Sequence, residues 1–372
     1  MTAQPQHSAP DAYDPTRLTA TLLKLADRHD LDVGEAEAAF GAIMDGAVPP
    51  EHIAAFLMAL RVKGETRDEL LGAVTALRAR MHPVPAMPED TLDVCGTGGD
   101  HYGTLNVSTA VAFVLAGLGV PVAKHGNRAV SSRSGASDVL TALGVPLSPG
   151  AETHAAWMRD YRAIFLAAPH HHPAMRHAAA VRKMLALPTL FNLVGPLVNP
   201  AGVKRQLIGV FSPRWLEPIV DVLRTLGSER VWAVCGQPRD GKTGIDEITL
   251  AGPTLAVALE QGQTCQFVIE PEMAGLAYAP VSAIKGKDAH HNAATLDALL
   301  HGAAGPYRDT VLLNAACALH IAGRVSILRN GHIDPTALQE SVAQAAFSLD
   351  SGAALAVLNG LRSSSAMHTP ET

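Results

Sequence analysis

The sequence predicts an α/β fold with some α+β character: a small helical domain at the N-terminus, then a larger domain around a central, mostly parallel sheet. Apolar residues between positions 18 and 77 recur at helical spacing, and no convincing strand interrupts them. From about Pro88 onward, short apolar strands alternate with helical segments. The chain has 372 residues, which exceeds the usual size of one domain.

The helical domain is expected at residues 15–83, after a polar, proline-containing tail at 1–14. Its four helical patterns lie near 18–25, 36–43, 53–60 and 66–77. The fourth opens with Thr66-Arg67-Asp68-Glu69, in which Thr and Glu have the spacing of a capping box. His82-Pro83-Val84-Pro85 then ends the helical pattern and predicts a hinge.

The larger domain is expected at 84–361, with a tail at 362–372, and part of 170–205 is expected to be able to pack with the helical domain. Strands are predicted at 92–94, 120–123, 163–167, 206–211 and 231–235, and helices at 110–118, from 137, and at 155–162, 174–185 and 215–226. Residues 254–259 and 265–269 indicate an antiparallel pair, and the remainder to 361 is mainly helical. Residues 170–173 predict a turn, and 188–200 are too rich in turn formers for an ordinary element.

Composition argues against several classes of protein. The formal net charge of −6 and an aromatic content of 4% disfavour a nucleic-acid-binding protein, which usually presents basic and aromatic side chains. The four cysteines show no C-x-x-C spacing, so neither a zinc site nor a disulfide framework is indicated. No long apolar run and no N-terminal export signal is evident, and we expect a cytoplasmic protein that does not enter membranes.

Three segments point to one anionic ligand. Cys95-Gly96-Thr97-Gly98-Gly99-Asp100 follows a predicted strand, and glycines without a Cβ let backbone N–H groups approach an anion closely. Asn106-Val107-Ser108-Thr109 stands where a helix N-terminus is expected, which favours a second anion contact. Lys124-His125-Gly126-Asn127-Arg128 follows the next strand. Glycine-rich turns also occur for packing alone, but the combination favours a sugar that carries phosphates.

Residues 236–243 match the Walker A expression, so an ATPase is one possible interpretation of this segment. A working P-loop needs a helix that begins at its Lys-Thr end, and Gly244-Ile245-Asp246-Glu247-Ile248 shows no helical periodicity. Adjacent carboxylates such as Asp246 and Glu247 can bind Mg²⁺ together with substrate phosphates. The alternative for this pair is a solvated acidic turn.

The histidine runs at 170–172 and 290–291 are interpreted as solvated turns, because consecutive histidines do not all point at one ion. Arg182 lies on a predicted helix and is a surface charge unless a carboxylate-bearing substrate needs a guanidinium. No Ser-His-Asp or Cys-His arrangement is supported, so no acid, base or nucleophile is assigned.

Together the motifs resemble the anthranilate phosphoribosyltransferase family over about residues 18–361. Those that carry the resemblance are 95–100, 106–109, 124–132, Phe191-Asn192-Leu193-Val194-Gly195-Pro196-Leu197-Val198-Asn199-Pro200, and Asp246-Glu247. The resemblance implies the fold shared with nucleoside phosphorylases, a small helical domain hinged to a large α/β domain, and a homodimer. The implied reaction transfers 5-phosphoribose from phosphoribosyl pyrophosphate to the amine of anthranilate, in tryptophan biosynthesis.

The resemblance also implies roles for single residues. Those expected at phosphoribosyl pyrophosphate are Gly96, Gly99, Asp100, Thr104, Asn106, Val107, Ser108, Thr109, Lys124, His125, Gly126, Asn127, Arg128, Ala129, Val130, Ser131, Ser132 and Ala136. Those expected at anthranilate are Gly96, Asn127 and Arg182. Ser108, Asp246 and Glu247 are expected to hold Mg²⁺. The implied partners are these small-molecule substrates, with no nucleic acid and no membrane.

Two rival functions share the fold. A pyrimidine nucleoside phosphorylase is expected to carry a lysine-serine glycine-rich signature, which 124–128 does not resemble. A nucleic-acid-binding relative is expected to lose Asn127 and Arg182 and to gain a basic face. The chain departs from the family pattern in a longer 236–245 loop and in Leu187-Pro188-Thr189, where the family more typically has Gly-x-Arg-Thr.

Overall fold

The computed structural model describes residues 15–85, 87–127, 134–147, 150–239, 241 and 243–366. Its helices are α1 (Pro15–Ala26), α2 (Val33–Met44), α3 (Pro50–Lys63), α4 (Arg67–Arg78), α5 (Val107–Gly117), α6 (Ala136–Ala142), α7 (Ala151–Tyr161), α8 (Ala168–His171), α9 (Arg176–Leu185), α10 (Phe191–Val194), α11 (Leu216–Thr225), α12 (Ala289–Leu300), α13 (Pro306–Ile321), α14 (Pro335–Asp350) and α15 (Ala353–Ala366). Its strands are β1 (Leu92–Gly96), β2 (Val122–Gly126), β3 (Ala163–Ala167), β4 (Arg205–Gly209), β5 (Arg230–Gly236), β6 (Thr254–Glu260), β7 (Gln263–Ile269), β8 (Leu328–Arg329) and β9 (His332–Ile333).

The described chain divides into two compact units. The helical unit contains the described residues up to Met81 together with His172–Val194, and the α/β unit contains His82–His171 and the described residues from Gly195 onward.

In the helical unit, local sequence signals set the helix ends. Thr66 and Glu69 form the predicted capping box at α4, and Asp32 and Glu35 form another at α2. The Glu69 carboxylate is fully buried and also accepts a hydrogen bond from the backbone N–H of Leu31 at 3.1 Å. One side chain therefore caps α4 and fixes the chain as it enters α2.

An aromatic cluster holds the later segment of the helical unit in place. The Phe40 ring packs edge-on against the rings of Phe56 and Phe191, at centroid distances of 5.2 and 5.5 Å. Because Phe191 comes from α10, residues distant in sequence share one core with the first four helices. Helix α9 packs against α2 and α3 in the same unit.

The α/β unit is built on a seven-stranded sheet of order β3-β2-β1-β4-β5-β6-β7. The strands from β3 to β5 are parallel, and β6 and β7 continue the sheet antiparallel. Consecutive residues of β1, β2 and β3 are almost all buried, so the sheet is covered on both faces there. The apolar helix α5 packs against β1, β2, α13 and α15. The predicted fold class is confirmed.

A few predicted boundaries differ from the structure. Strand β2 begins at Val122 and continues to Gly126, so Lys124 and His125 lie in the strand and pair with β3 instead of forming a loop. Tertiary pairing overrides their polar character at these positions. His170 and His171 lie in the one-turn helix α8, and 188–200 contains α10 and a 3₁₀ turn at Gly195–Val198.

In the part of the chain that the structure describes, no single helix is long and apolar enough to cross a membrane. Helices α14 and α15 meet that criterion only when taken together as a pair bent by 47°.

Candidate active site

The site residues of the α/β unit gather where strands end. Strand β1 lies between β2 and β4, and the chain leaves β1 toward β2 on one side and reaches β4 on the other. In parallel sheets, ligands bind outside the carboxyl ends of the strands at such a switch point. Because β1, β2, β4 and β5 run parallel, all four strands end at this edge.

Two paired glycines make room for the acidic pair. Gly96 ends β1, Gly209 ends β4, and the two are register partners in the sheet. A Cβ on Gly209 would lie 1.6 Å from the Asp246 carbonyl oxygen, and a Cβ on Gly96 would lie 2.5 Å from Asp246 Oδ2. The Gly98 N–H donates to Asp246 Oδ2 at 2.6 Å. Asp246 is thus set directly on the strand ends, which only glycines permit.

Burial and mutual repulsion disfavour the negative charge of the carboxylates in this loop. Burial, followed by the nearby Asp100 charge, raises the pKa of Asp246 well above its ordinary value. Burial raises the pKa of Glu247 in the same way, and the charges of Asp246 and Asp100 add to it. Glu247 Oε1 accepts a long hydrogen bond of 3.4 Å from Thr104 Oγ1, whereas its buried Oε2 has no hydrogen-bond partner among the described residues.

These features fit a divalent cation. A small cavity of about 10 Å³ is bordered by Ser108, Asp246 and Glu247, so the structure brings together the three residues predicted to hold Mg²⁺. Among the described residues, no group of three His, Cys, Asp or Glu side chains is arranged to hold a metal by itself. Mg²⁺ commonly uses one or two carboxylates and completes its coordination with water and substrate phosphates.

The segment after Glu247 is held by Asn314 on α13. Its Oδ1 accepts the Ile248 N–H at 3.2 Å, and its Nδ2 donates to the Ile248 carbonyl at 2.8 Å.

The described part of 237–253 contains no helix, so the Walker A match lacks the structure a P-loop requires. Lys242 lies outside the described residues.

The glycine-rich loop is braced from its far end. Asp100 Oδ1 accepts the Tyr102 N–H at 3.1 Å, which closes a turn after the glycines. Thr104 pairs with Lys285 in an antiparallel bridge, and the Leu105 N–H donates to the Ile284 carbonyl at 2.8 Å. The loop therefore has a defined course from β1 to α5.

Helix α5 begins at Val107, three residues earlier than its apolar run predicts, and so its first turn contains Ser108 and Thr109. Asn106 occupies the N-cap position but its side chain caps no N–H of that turn. The N–H groups at a helix start are an anion site. Residues 106–109 are thus placed as a phosphate site requires.

Lys124 and His125 point to opposite sides of β2, as neighbours on a strand do. The buried Lys124 Nζ donates to the Val94 carbonyl at 2.6 Å and to Ser108 Oγ at 3.1 Å. Burial lowers the pKa of Lys124, although the carboxylates around it oppose that shift. The His125 ring instead lies against the Gly195 carbonyl, 3.1 Å from Nδ1.

Residues after β2 are only partly described. The Asn127 carbonyl accepts the Ser137 N–H at 3.2 Å at the start of α6, close to Ala136. The predicted residues Arg128, Ala129, Val130, Ser131 and Ser132 lie outside the described part of the chain.

Arg182 belongs to the helical unit, on α9. Its guanidinium lies over the Phe191 ring at 5.4 Å from the centroid, an arrangement that orients a partly buried cation. Burial lowers the pKa of Arg182. The ordinary pKa of arginine is far above neutral pH, so the guanidinium stays charged. Asn192 Oδ1 accepts the Thr189 N–H at 3.0 Å and fixes the turn before α10.

Comparison with known proteins decides the family. Residues 88–355 match the glycosyl transferase family α/β domain, and residues 19–81 match the helical bundle domain of the same family. The anthranilate phosphoribosyltransferase of Gluconobacter oxydans is 57% identical over 353 residues, which are 95% of this chain and 97% of that protein. The chain belongs to the anthranilate phosphoribosyltransferase family.

Solved structures of family members agree with this assignment. The crystal structure of the Thermus thermophilus enzyme matches with a TM-score of 0.81 at 38% identity, over 92% of this chain and 98% of that one. The Saccharomyces cerevisiae enzyme in complex with phosphoribosyl pyrophosphate and Mg matches with a TM-score of 0.84 at 27% identity, over 96% of this chain and 100% of that one.

In this member of the family, several buried polar residues at the site escaped the sequence analysis. Asp93 accepts the His125 N–H at 3.2 Å and an amide hydrogen of Asn199 at 2.8 Å. Asn199 also donates to the Ala123 carbonyl at 2.8 Å, so the last asparagine of the 191–200 motif joins β1 to β2. Asn199 lies in the 191–200 motif, but no local sequence signal indicates its partners.

Proposed function

We propose that this protein transfers the 5-phosphoribosyl group of phosphoribosyl pyrophosphate to the amine of anthranilate, giving N-(5-phosphoribosyl)anthranilate and pyrophosphate. The observation that carries the proposal is the Asp246-Glu247 pair, seated on Gly96 and Gly209 beside the start of α5. The acidic pair, with a buried oxygen that has no partner among the described residues, suits a metal ion. The helix N-terminus suits the pyrophosphate that the metal ion would accompany. Membership of the family supplies the substrates.

Asp246, Glu247 and Ser108 would hold Mg²⁺, which when bound neutralises negative charge on the leaving pyrophosphate. The Gly98 N–H is engaged by Asp246, and the Val107 N–H by the Leu105 carbonyl. Other N–H groups of the glycine loop and of the first turn of α5 would donate to phosphate oxygens and are already fixed in place. Such donors stabilise the charge that grows as the C1–O bond breaks, without reorganising during the reaction.

Arg182 is proposed to bind the anthranilate carboxylate, because a guanidinium can donate two parallel hydrogen bonds to it. Gly96 and Asn127 are proposed to border the same substrate. Orienting the weakly nucleophilic amine toward C1 supplies a second large share of the rate. No residue is assigned as acid, base or nucleophile, and burial raises the pKa of the Cys95 thiol well above its ordinary value, which disfavours covalent catalysis there.

The test follows the loss of anthranilate fluorescence with purified protein, phosphoribosyl pyrophosphate and Mg²⁺, omitting each in turn. We expect loss only when all are present. Turnover without Mg²⁺ would remove the metal from the proposal, and no turnover by folded protein would overturn the activity and direct attention to nucleic-acid binding.

The resemblance further supports a homodimer in the cytoplasm. Light scattering on the purified protein at micromolar concentration should give twice the mass of 38.9 kDa, and a monomer mass would contradict the dimer.

A further inference from the structure

Asn106 occupies a position where asparagine has a strong local preference. At an N-cap, its side-chain oxygen normally accepts an N–H of the first helical turn. In this protein it does not. Its Oδ1 instead accepts a hydrogen bond from Nδ2 of Asn292 on α12, at 3.0 Å and across 186 residues of sequence.

The polarity of this contact is fixed by the backbone. Asn292 is buried, and its Oδ1 accepts the N–H of Lys287 at 2.8 Å. A backbone N–H only donates, so the Asn292 amide cannot be flipped without losing that bond. Its nitrogen must therefore face Asn106, and Asn106 must meet it with oxygen.

The surrounding backbone is anchored independently of this pair. The Gly286 N–H donates to the Gly103 carbonyl at 2.9 Å, and the Tyr307 hydroxyl donates to the Asn106 carbonyl at 3.2 Å. These bonds fix the main chain of the loop. Asn292 is thus left to control the side chain of Asn106.

We propose that Asn292 is a positioning residue for the phosphoribosyl pyrophosphate site. By holding Oδ1 of Asn106, it keeps that oxygen from capping α5 and leaves the N–H groups of Ser108 and Thr109 available to a phosphate. It also leaves the amide nitrogen of Asn106 as a further donor on the ligand side. This inference rests on the proposed function.

Two variants distinguish a role of Asn292 in positioning the Asn106 side chain from a role in packing alone. Asn292→Asp still accepts from Lys287 but has no donor, so Asn106 should turn its nitrogen toward the new carboxylate and its oxygen toward the phosphate. Asn292→Leu leaves both orientations of Asn106 open. By isothermal titration of phosphoribosyl pyrophosphate in Mg²⁺, we expect about 30-fold weaker binding for Asp and about threefold for Leu. The KM for anthranilate should stay unchanged.

A purely structural role predicts the reverse order, because the Leu variant leaves the Lys287 N–H without its acceptor. In an Asn106→Ala background, Asn292→Asp should weaken binding no further, since it acts through Asn106. The exposed Asn359→Asp on α15 is the matched control and should bind as the wild type does. Equal binding by Asn292→Asp and the wild type, or an additive effect in the Asn106→Ala background, would overturn the positioning role alone. Failure of the wild type itself to bind would overturn the proposed function.

Discussion

Gly209→Ala is the most direct test of how the acidic pair is held. The new Cβ would lie 1.6 Å from the Asp246 carbonyl oxygen, and Cβ contacts under 3.0 Å essentially do not occur. The two atoms must therefore separate by at least the difference, about 1.4 Å. The neighbour is backbone, so no side-chain rotation relieves the overlap.

A displacement of that size should be costly to catalysis. A misplacement of about 1 Å can lower the rate roughly 100-fold, and overpacking of this kind costs about 1–3 kcal/mol of stability. We expect kcat/KM to fall about 100-fold or more in the fluorescence assay, with a lower melting temperature.

Gly96→Ala provides a milder companion, because its Cβ would meet Asp246 Oδ2 at 2.5 Å, and a carboxylate can rotate away. It should raise the Mg²⁺ concentration needed for half-maximal rate while leaving the melting temperature closer to the wild type. Gly34→Ala on α2 is the control, since its Cβ would make an ordinary contact of 3.4 Å. If Gly209→Ala kept kcat/KM within threefold and an unchanged melting temperature, the tight seating of Asp246 on β4 would be refuted.

Three further variants test other parts of the molecule. Asp246→Asn combined with Glu247→Gln should abolish Mg²⁺-dependent turnover, and an unchanged Mg²⁺ titration would remove the pair from the metal site. Arg182→Ala should raise the KM for anthranilate about tenfold or more with little change for phosphoribosyl pyrophosphate; equal losses for both substrates would contradict its role. Burial lowers the pKa of His154 to about 4 from 6.5, so below pH 6.5 the unfolded chain binds a proton that the folded chain does not. Between pH 6.5 and about 4, the free energy of unfolding of the wild type should fall by about 2 kcal/mol, after allowance for solvent screening. His154→Gln should remove that part of the pH dependence in denaturant titrations, and parallel curves for the two proteins would show that His154 contributes none of it.

Much of the fold was predictable because its signals are local. The capping box of Thr66 and Glu69 and the helical spacing of apolar residues depend on neighbours within one or two turns. Strand β3 was predicted with its observed bounds, since a short apolar run between helices has few alternatives. The glycine loop was indicated by glycines directly after a predicted strand, and the acidic pair by adjacent carboxylates in an irregular segment.

Boundaries failed where packing overrides local preference. Lys124 and His125 look like loop residues, yet they continue β2 because β3 offers partners along its whole length. The turn-forming residues of the 191–200 motif predict neither a helix nor a strand. In the structure, Phe191 packs against Phe40 and places α10 in an aromatic core.

The sequence by itself indicated which residue types are proposed to bind the ligand: glycines, hydroxyls, carboxylates and one lysine. Only the tertiary structure decided how they are held. Gly209 and Asp246 touch across the sheet edge, and Asn292 orients Asn106 from a distant helix. Such contacts bring together residues far apart in the chain through a single hydrogen bond or a close van der Waals contact. They leave no periodicity in the sequence, because their partners are set by the packing of whole elements.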